Sequence, residues 1–138
     1  MVLWKSVKIG EELPPFTFKM DSMQYRKYNK LVTEVNPLHF DEKFAKTLGY
    51  RAIVVAGVFS CGFLLRPLLN WVKDPTAIQK FKMHFIDPIY IEDTLTYHAK
   101  IAKKYQKEGQ NLVECDLWAE NQAKEIVTTG SALLSVPS

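Results

Sequence analysis

From Gly57 to Trp71 the chain is apolar on nearly every side of a helical wheel, with Val58, Phe59, Phe63, Leu64, Leu65 and Leu68 leaving no continuous polar stripe. A helix lying on a surface keeps a polar face, whereas one that is apolar all round has to be enclosed. The apolar run begins at Ala52, but its part up to Leu65 is too short to span a bilayer, and Arg66-Pro67 interrupts its continuation. A helix buried on all faces is therefore expected, and the rest of the 138-residue chain has to wrap it.

Four strand-like runs follow, Lys80 to Asp87, Thr94 to Tyr105, Asn111 to Glu120 and Lys124 to Val136. They are punctuated by Pro88, by Lys107-Glu108-Gly109 and by Asn121-Gln122, and they read as an antiparallel meander. Alternation is clear where Thr94, Thr96 and His98 oppose Leu95, Tyr97 and Ala99, and weaker from Leu112 to Trp118. The fold class is thus α+β: a long central helix wrapped by a curled antiparallel sheet.

Ahead of the helix, Ser6 to Lys19 reads as a short strand, a turn at Gly10 and a second extended piece. Asp21 or Ser22 caps a helix to about Thr33, with Met23, Tyr28, Leu31 and Val32 as its apolar stripe. Asn36-Pro37 ends it, because the residue before proline is driven out of helical geometry, and Asn36 to Phe40 becomes a loop of fixed shape. Asp41 caps a short second helix, Glu42 to Leu48, with Gly49 as the left-handed residue after it.

Residues 1–138 have the length of one domain, and 47% hydrophobic content suffices for a core without disulfides or metal. The net charge of +3 is spread along the chain, and no basic patch interleaved with aromatics appears, so nucleic-acid binding is set aside. Cys61 and Cys115 lack CxxC spacing and sit among apolar residues, as reduced core thiols do. The opening residues carry two lysines and no apolar leader, so a cytoplasmic, non-membrane protein is expected.

Three segments carry a family resemblance. Residues 31–41, Leu-Val-Thr-Glu-Val-Asn-Pro-Leu-His-Phe-Asp, look like the MaoC-like hydratase signature: a carboxylate, any residue, Asn, Pro, an aliphatic and His, with an acidic residue two positions later. Ala56-Gly57-Val58 resembles the His-Gly-Met opening of that family's central helix. Residues 85–95, Phe-Ile-Asp-Pro-Ile-Tyr-Ile-Glu-Asp-Thr-Leu, resemble its strand entry, which runs from a phenylalanine through a proline to Gly-Asp-Thr-Leu. Asn70 to Pro75 is similar to the helix exit of (3R)-hydroxyacyl-carrier-protein dehydratase subunits. The family has the hotdog fold, which agrees with the helix-in-sheet pattern.

The resemblance implies reversible hydration of a 2-enoyl thioester, or dehydration of its (3R)-hydroxyacyl counterpart, carried on CoA or on acyl carrier protein. Such chemistry needs a water activated toward C3, a proton for C2, and stabilisation of the enolate-like thioester oxygen. Glu34 and His39 are the expected pair on that water, and the Gly57 N–H, at the positive end of the helix, is the expected donor to the oxygen. Asn36, Asp41 and Ala56 are the expected loop-ordering or substrate-binding residues; no metal or organic cofactor is needed.

Three departures from the family pattern matter: Glu34 replaces an Asp, Ala56 a His and Thr33 a Gly. The first two favour an alternative, a subunit that completes a partner's site in a heteromeric dehydratase. A hotdog thioesterase is a weaker alternative, since no Asp or Glu lies between Gly57 and Trp71. Without the family pattern, a Glu five residues before a His is ordinary loop chemistry, and Asn36 and Asp41 are structural by preference. His84 and His98 have no ligand spacing, and Ser60 and Cys61 sit in no nucleophile elbow, so these four read as packing residues. Arg66, Lys73, Lys80 and Lys82 are candidates for the phosphates of CoA or a phosphopantetheine arm. A homodimer, or a heteromer with another hotdog subunit, is expected because hotdog sheets pair edge to edge.

Overall fold

A computed structural model describes residues 1–138. Along the chain run β1 (Phe16–Lys19), α1 (Ser22–Val32), α2 (Glu42–Thr47), α3 (Gly57–Leu64), α4 (Arg66–Val72), β2 (Ile78–Phe85), β3 (Thr94–Lys107), β4 (Gln110–Glu120) and β5 (Ile126–Ser135). The strands form one antiparallel sheet in the order β1-β3-β4-β5-β2. Alternation decides which side of it is dry. Leu95, Tyr97, Ala99 and Ile101 of β3 are at most 1% exposed, and Val113, Cys115, Leu117 and Ala119 of β4 join them in the core. Register breaks between Ile101 and Lys103, and between Ile78 and Lys80, bend the strands as bulges do and curl the sheet toward its apolar face.

The expected meander holds only for β3, β4 and β5. β2, the first of the four in sequence, pairs with β5, placing Met83 opposite Gly130, while β1 closes on β3 with Phe18 opposite Leu95. The chain between β1 and β2 passes over the concave face, where α3 and α4 pack on β3 and β4, and so reaches the opposite edge.

The central helix is interrupted at Leu65. Pro67 lacks an N–H and its ring crowds the carbonyl four residues back, so one continuous helix cannot run through it. Leu65 stays in the right-handed region and joins the two pieces. One stripe, Ser60, Leu64, Leu68 and Val72, is buried against the sheet. The opposite stripe is not: Val58 is 76% exposed, and Gly62, Arg66 and Asn70 are exposed with it. The expected burial on all faces is thus met on the sheet side alone, because five strands of one chain curl around only part of the cylinder. Cys61 accordingly lies half-buried at the helix edge, whereas Cys115 is fully in the core.

Gly130 sets how closely helix and sheet approach. A Cβ there would lie 2.5 Å from the Lys82 carbonyl oxygen and 3.1 Å from the Leu64 side chain, so only glycine lets Leu64 press onto β5. The result is the helix-in-curled-sheet arrangement of the hotdog fold.

The amino-terminal elements correct two expectations. No strand forms between Ser6 and the Gly10 turn, a 3-10 turn over Trp4–Ser6 stands ahead of it, and only the second extended piece becomes β1. α1 begins and ends as expected, with the Asp21 side chain accepting from the Gln24 N–H, but its buried face is different. Met23 and Leu31 are 69% and 85% exposed, while Tyr25 is 1% exposed, with Tyr28 and Asn29 turned the same way. Aromatic packing decides this face: Phe59 lies 5.2 Å from the Tyr25 ring and 4.8 Å from that of Tyr28. α2 is capped by Asp41, which accepts from the Phe44 N–H, and Gly49 takes φ +92° after it.

Candidate active site

The turn after α1 is built almost entirely from its own side chains. Thr33 ends the helix in the left-handed region, at φ 53°, where the family pattern has glycine. The Glu34 carboxylate accepts from the N–H groups of Val35 (3.1 Å) and Asn36 (2.9 Å). Asn36 Oδ1 in turn accepts from the Leu38 N–H at 3.1 Å, capping the 3-10 turn Pro37–His39. Asn36 therefore orders the loop, and Asp41 caps a helix.

His39 is held by longer-range contacts. Its Nδ1 lies 2.8 Å from the Val54 carbonyl oxygen, an atom that can only accept, so Nδ1 carries the proton and Nε2 keeps the lone pair in the neutral ring. The Asn29 amide donates to the His39 carbonyl oxygen at 3.1 Å, and the Val54 N–H donates to the Leu38 carbonyl at 3.3 Å. The imidazole is thereby fixed in tautomer and in position.

The segment leading into α3 is fixed just as firmly. The Val55 N–H donates to the Ile89 carbonyl oxygen at 2.7 Å, and the Ala56 N–H donates to the Tyr25 hydroxyl at 2.9 Å. Ala56 is the residue before the first helical turn and offers no side-chain cap, so Gly57 opens α3 with an N–H that has no intrahelical acceptor. Glycine at 57 leaves room for a neighbour: a Cβ would meet the Phe85 ring at 2.7 Å, and the ring would have to shift.

These elements enclose a cleft of about 290 Å³ walled by His39, Tyr50, Val54, Gly57, Phe85 and Ile89 among others. The structure thus brings His39 and Gly57 to one cavity. Glu34 is not on its wall; half-buried, it stays within electrostatic reach of Tyr25. Burial holds the Tyr25 hydroxyl above its usual pKa, and the Glu34 charge adds to that, while the contacts with Ala56 and Asn29 oppose it. The central helix contributes only Gly57 to the cavity, and along its flank Phe63 stacks with Phe16 and Phe18 while Phe59 meets Phe63 edge-on.

A second support stands behind the cleft. Asp93, 3% exposed, accepts from Arg51 (3.1 Å), Gln122 (2.9 Å) and the Tyr90 N–H (2.9 Å), tying the strand entry to the segment that carries Val54. The neighbouring Glu92 stands at φ 69°, where the family pattern has glycine, and its carboxylate is held by Ser22 and by Lys19 at 3.2 Å. The hydrogen bonds from Ser22 and Lys19 draw its pKa down to about 2.

The cations expected at a phosphate site are not gathered into one. Arg66 lies over the Phe16 ring and bonds Asn70 on the open side of the helix, whereas Lys80 and Lys82 line a groove on the other face of the sheet. Of the residues read as packing, Ser60 is buried and bonds the Gly57 carbonyl, while His98 pairs with Glu120 at 2.7 Å and stacks on Trp118. Tyr25, Asn29 and Asp93 were not singled out by sequence reasoning. The available signal was the spacing of Tyr25, Tyr28 and Asn29, which lie on one helical face with polar tips, a face that a purely apolar stripe overlooks.

Comparison with known proteins agrees with this fold. Residues 6–122 match the family described as the MaoC like domain. The chain is 28% identical over 112 residues to the mitochondrial 3-hydroxyacyl-[acyl-carrier-protein] dehydratase FERN of Solanum lycopersicum, covering 80% of this chain and 67% of that protein. It is 31% identical over 68 residues to the peroxisomal enoyl-CoA hydratase 2 of Arabidopsis thaliana; the match takes in 48% of this chain but only 22% of that longer protein. Among solved structures, the (R)-hydratase from A. caviae superimposes with a TM-score of 0.81 at 18% identity, over 96% of this chain and 99% of that one. No helix of the chain is long and apolar enough to cross a membrane. By a match spanning most of its length, the chain belongs to the MaoC-like domain family.

Proposed function

We propose that the chain catalyses reversible hydration of a 2-enoyl thioester to a (3R)-hydroxyacyl thioester, on CoA or on acyl carrier protein. The observation that carries this reading is the His39 imidazole, clasped through Nδ1 by the Val54 carbonyl and sharing one cleft with the start of α3. In the reaction, His39 Nε2 and the Glu34 carboxylate hold a water. One of the two takes a proton from that water as its oxygen adds to C3, and a proton held by the pair passes to C2, which restores the base. The negative charge on the thioester oxygen is met by the Gly57 N–H, where the helix dipole favours it.

A second reading has its own observation. Glu34 is hydrogen-bonded into its own turn and stands off the cleft wall, and Ala56 occupies the family's histidine position. Both fit a subunit that completes a partner's site. The exposed stripe of α3 and α4 fits an oligomer of either kind. The two unpaired cysteines suit a reducing compartment, and the cytoplasm is the one proposed; cell fractionation separates it from the organelles named for the two relatives.

One assay separates the readings. Purified protein is mixed with crotonyl-CoA, loss of the conjugated double bond is followed, the hydroxyacyl product is resolved by chirality, and free thiol is measured in parallel. Formation of the (3R)-3-hydroxybutyryl product without thiol release is expected. Thiol release identifies a thioesterase, and no reaction until a second hotdog subunit is added identifies the partner-completing role.

A further inference from the structure

The geometry points to Tyr25 and Asn29, one turn apart on α1, as a positioning pair that holds the Gly57 amide and the His39 imidazole in fixed relation to each other. The inference rests on the hydration site proposed above and adds to it the frame on which its two halves are mounted.

Residues four apart on a helix lie on the same face, one above the other. On α1 this face carries two polar tips that reach two different loops. The Tyr25 hydroxyl accepts the Ala56 N–H at 2.9 Å, one residue ahead of Gly57. The Asn29 amide donates to the His39 carbonyl oxygen at 3.1 Å. The contacts span 31 and 10 residues of sequence, and the Tyr25 bond is buried.

Neither loop has an equivalent local fastening. Ala56 has no side-chain cap, and the side-chain bond within the 36–39 turn, from the Leu38 N–H to Asn36 Oδ1, ties that turn only to itself. The two loops also meet directly, through His39 Nδ1 to the Val54 carbonyl and the Val54 N–H to the Leu38 carbonyl. Helix and loops thus form a closed triangle in which each side limits the other two. α1 is itself fastened at its start, where Glu92 accepts from the Ser22 N–H at 3.0 Å. A helical turn is the stiffest spacer the chain offers, so the Tyr25 to Asn29 separation fixes the spacing of base and oxyanion donor. Such spacing matters because a misplacement of about 1 Å can cost roughly 100-fold in rate.

The test uses Tyr25→Phe, which removes one oxygen and keeps the ring packing, and Asn29→Leu, with Asn29→Ala as a second variant should leucine disturb folding. Crotonyl-CoA hydration is measured together with NMR of the backbone amides and of the imidazole protons, which are resolvable in a chain with three histidines. Each substitution is expected to lower kcat by roughly 10-fold with KM within about 2-fold of the parent, and the double variant to lose little more than the worse single one. Tyr25→Phe should shift the Ala56 and Gly57 amide resonances, and Asn29→Leu the His39 imidazole resonance, with β3 amides unmoved. Folded variants with parental kcat would overturn the inference and leave the two bonds as satisfaction of buried backbone groups. Were the parent itself inactive on thioesters, the hydration reading would fail, and the resonances would still decide the frame. Unshifted Gly57 and His39 signals would then refute it.

Discussion

His39 and Glu34 stand five residues apart in one turn, yet they are anchored in opposite ways. His39 is fixed by Val54 and Asn29, residues 15 and 10 positions away, and it faces the cleft. Glu34 is fixed by the N–H groups of the next two residues and stays off the cleft wall. The contrast shows that a motif places its members only as far as the rest of the chain takes hold of them. Long-range contacts define an orientation relative to the substrate's other contacts; local ones define the shape of a turn.

The largest effects should break this comparison outright. His39→Ala is expected to reduce enoyl-thioester hydration by roughly 100-fold or more, the usual range for loss of a general base. Glu34→Gln is expected to fall in the same range if the carboxylate turns to the cleft when substrate binds, and Glu34→Asp to preserve or raise turnover, since the family pattern carries Asp there. Steady-state kinetics on folded variants check all three. Parental rates in Glu34→Gln beside a dead His39→Ala would leave Glu34 as a turn residue alone.

A smaller effect sharpens the His39 side. Gly57→Ala sets a Cβ 2.7 Å from the Phe85 ring, so the ring has to move and the cleft changes shape at the proposed oxyanion position. We expect about a 10-fold loss in kcat/KM, partly restored by Phe85→Leu in the same chain, because the smaller side chain relieves the contact. Absence of rescue would show that the loss comes from the helix start rather than from the ring.

The smallest effect is expected where a long-range tie lies open to solvent. Glu92 has a folded pKa of about 2, below the ordinary carboxylate value of 4.5, so its contribution is fully present above the ordinary value and is lost as pH falls toward 2. Urea unfolding of Glu92→Gln should differ most from the parent above pH 4.5 and converge with it toward pH 2. Screening of this exposed cluster keeps the difference small.

What was legible in the sequence follows the same division between local and distant causes. Helix caps at Asp21 and Asp41, the left-handed Gly49 and the alternation of Thr94 to Ile101 are local, and each appears where the residues imply. The place of β2 beside β5 is not local, and nothing in residues 78–85 names their neighbour. Of the expected stripe on α1 only Tyr28 turns inward: Met23, Leu31 and Val32 are more apolar than Tyr25 and Asn29, yet the latter two, with Tyr28, have the rings to pack or the polar tips to bond. Arg66-Pro67 was visible as an interruption of the apolar run, and its proline is the physical reason that α3 and α4 are two helices. At the site, the resemblance pointed to His39 and Gly57, which do share the cleft, while the geometry of Glu34 depended on a turn whose hydrogen bonds no spacing rule describes.

The two cysteines lie in different worlds, and that makes a clock. Burial pushes the Cys115 thiol up to about 12, with the nearby Asp116 adding to it, so at mildly alkaline pH almost none of it is the reactive thiolate. Cys61, at the edge of α3, is only half-buried. An alkylating reagent added to the native protein should therefore mark Cys61 first, and Cys115 only when β4 is released from the sheet. The second, slow phase of labelling reads out how often the core opens, with no probe added and no residue changed.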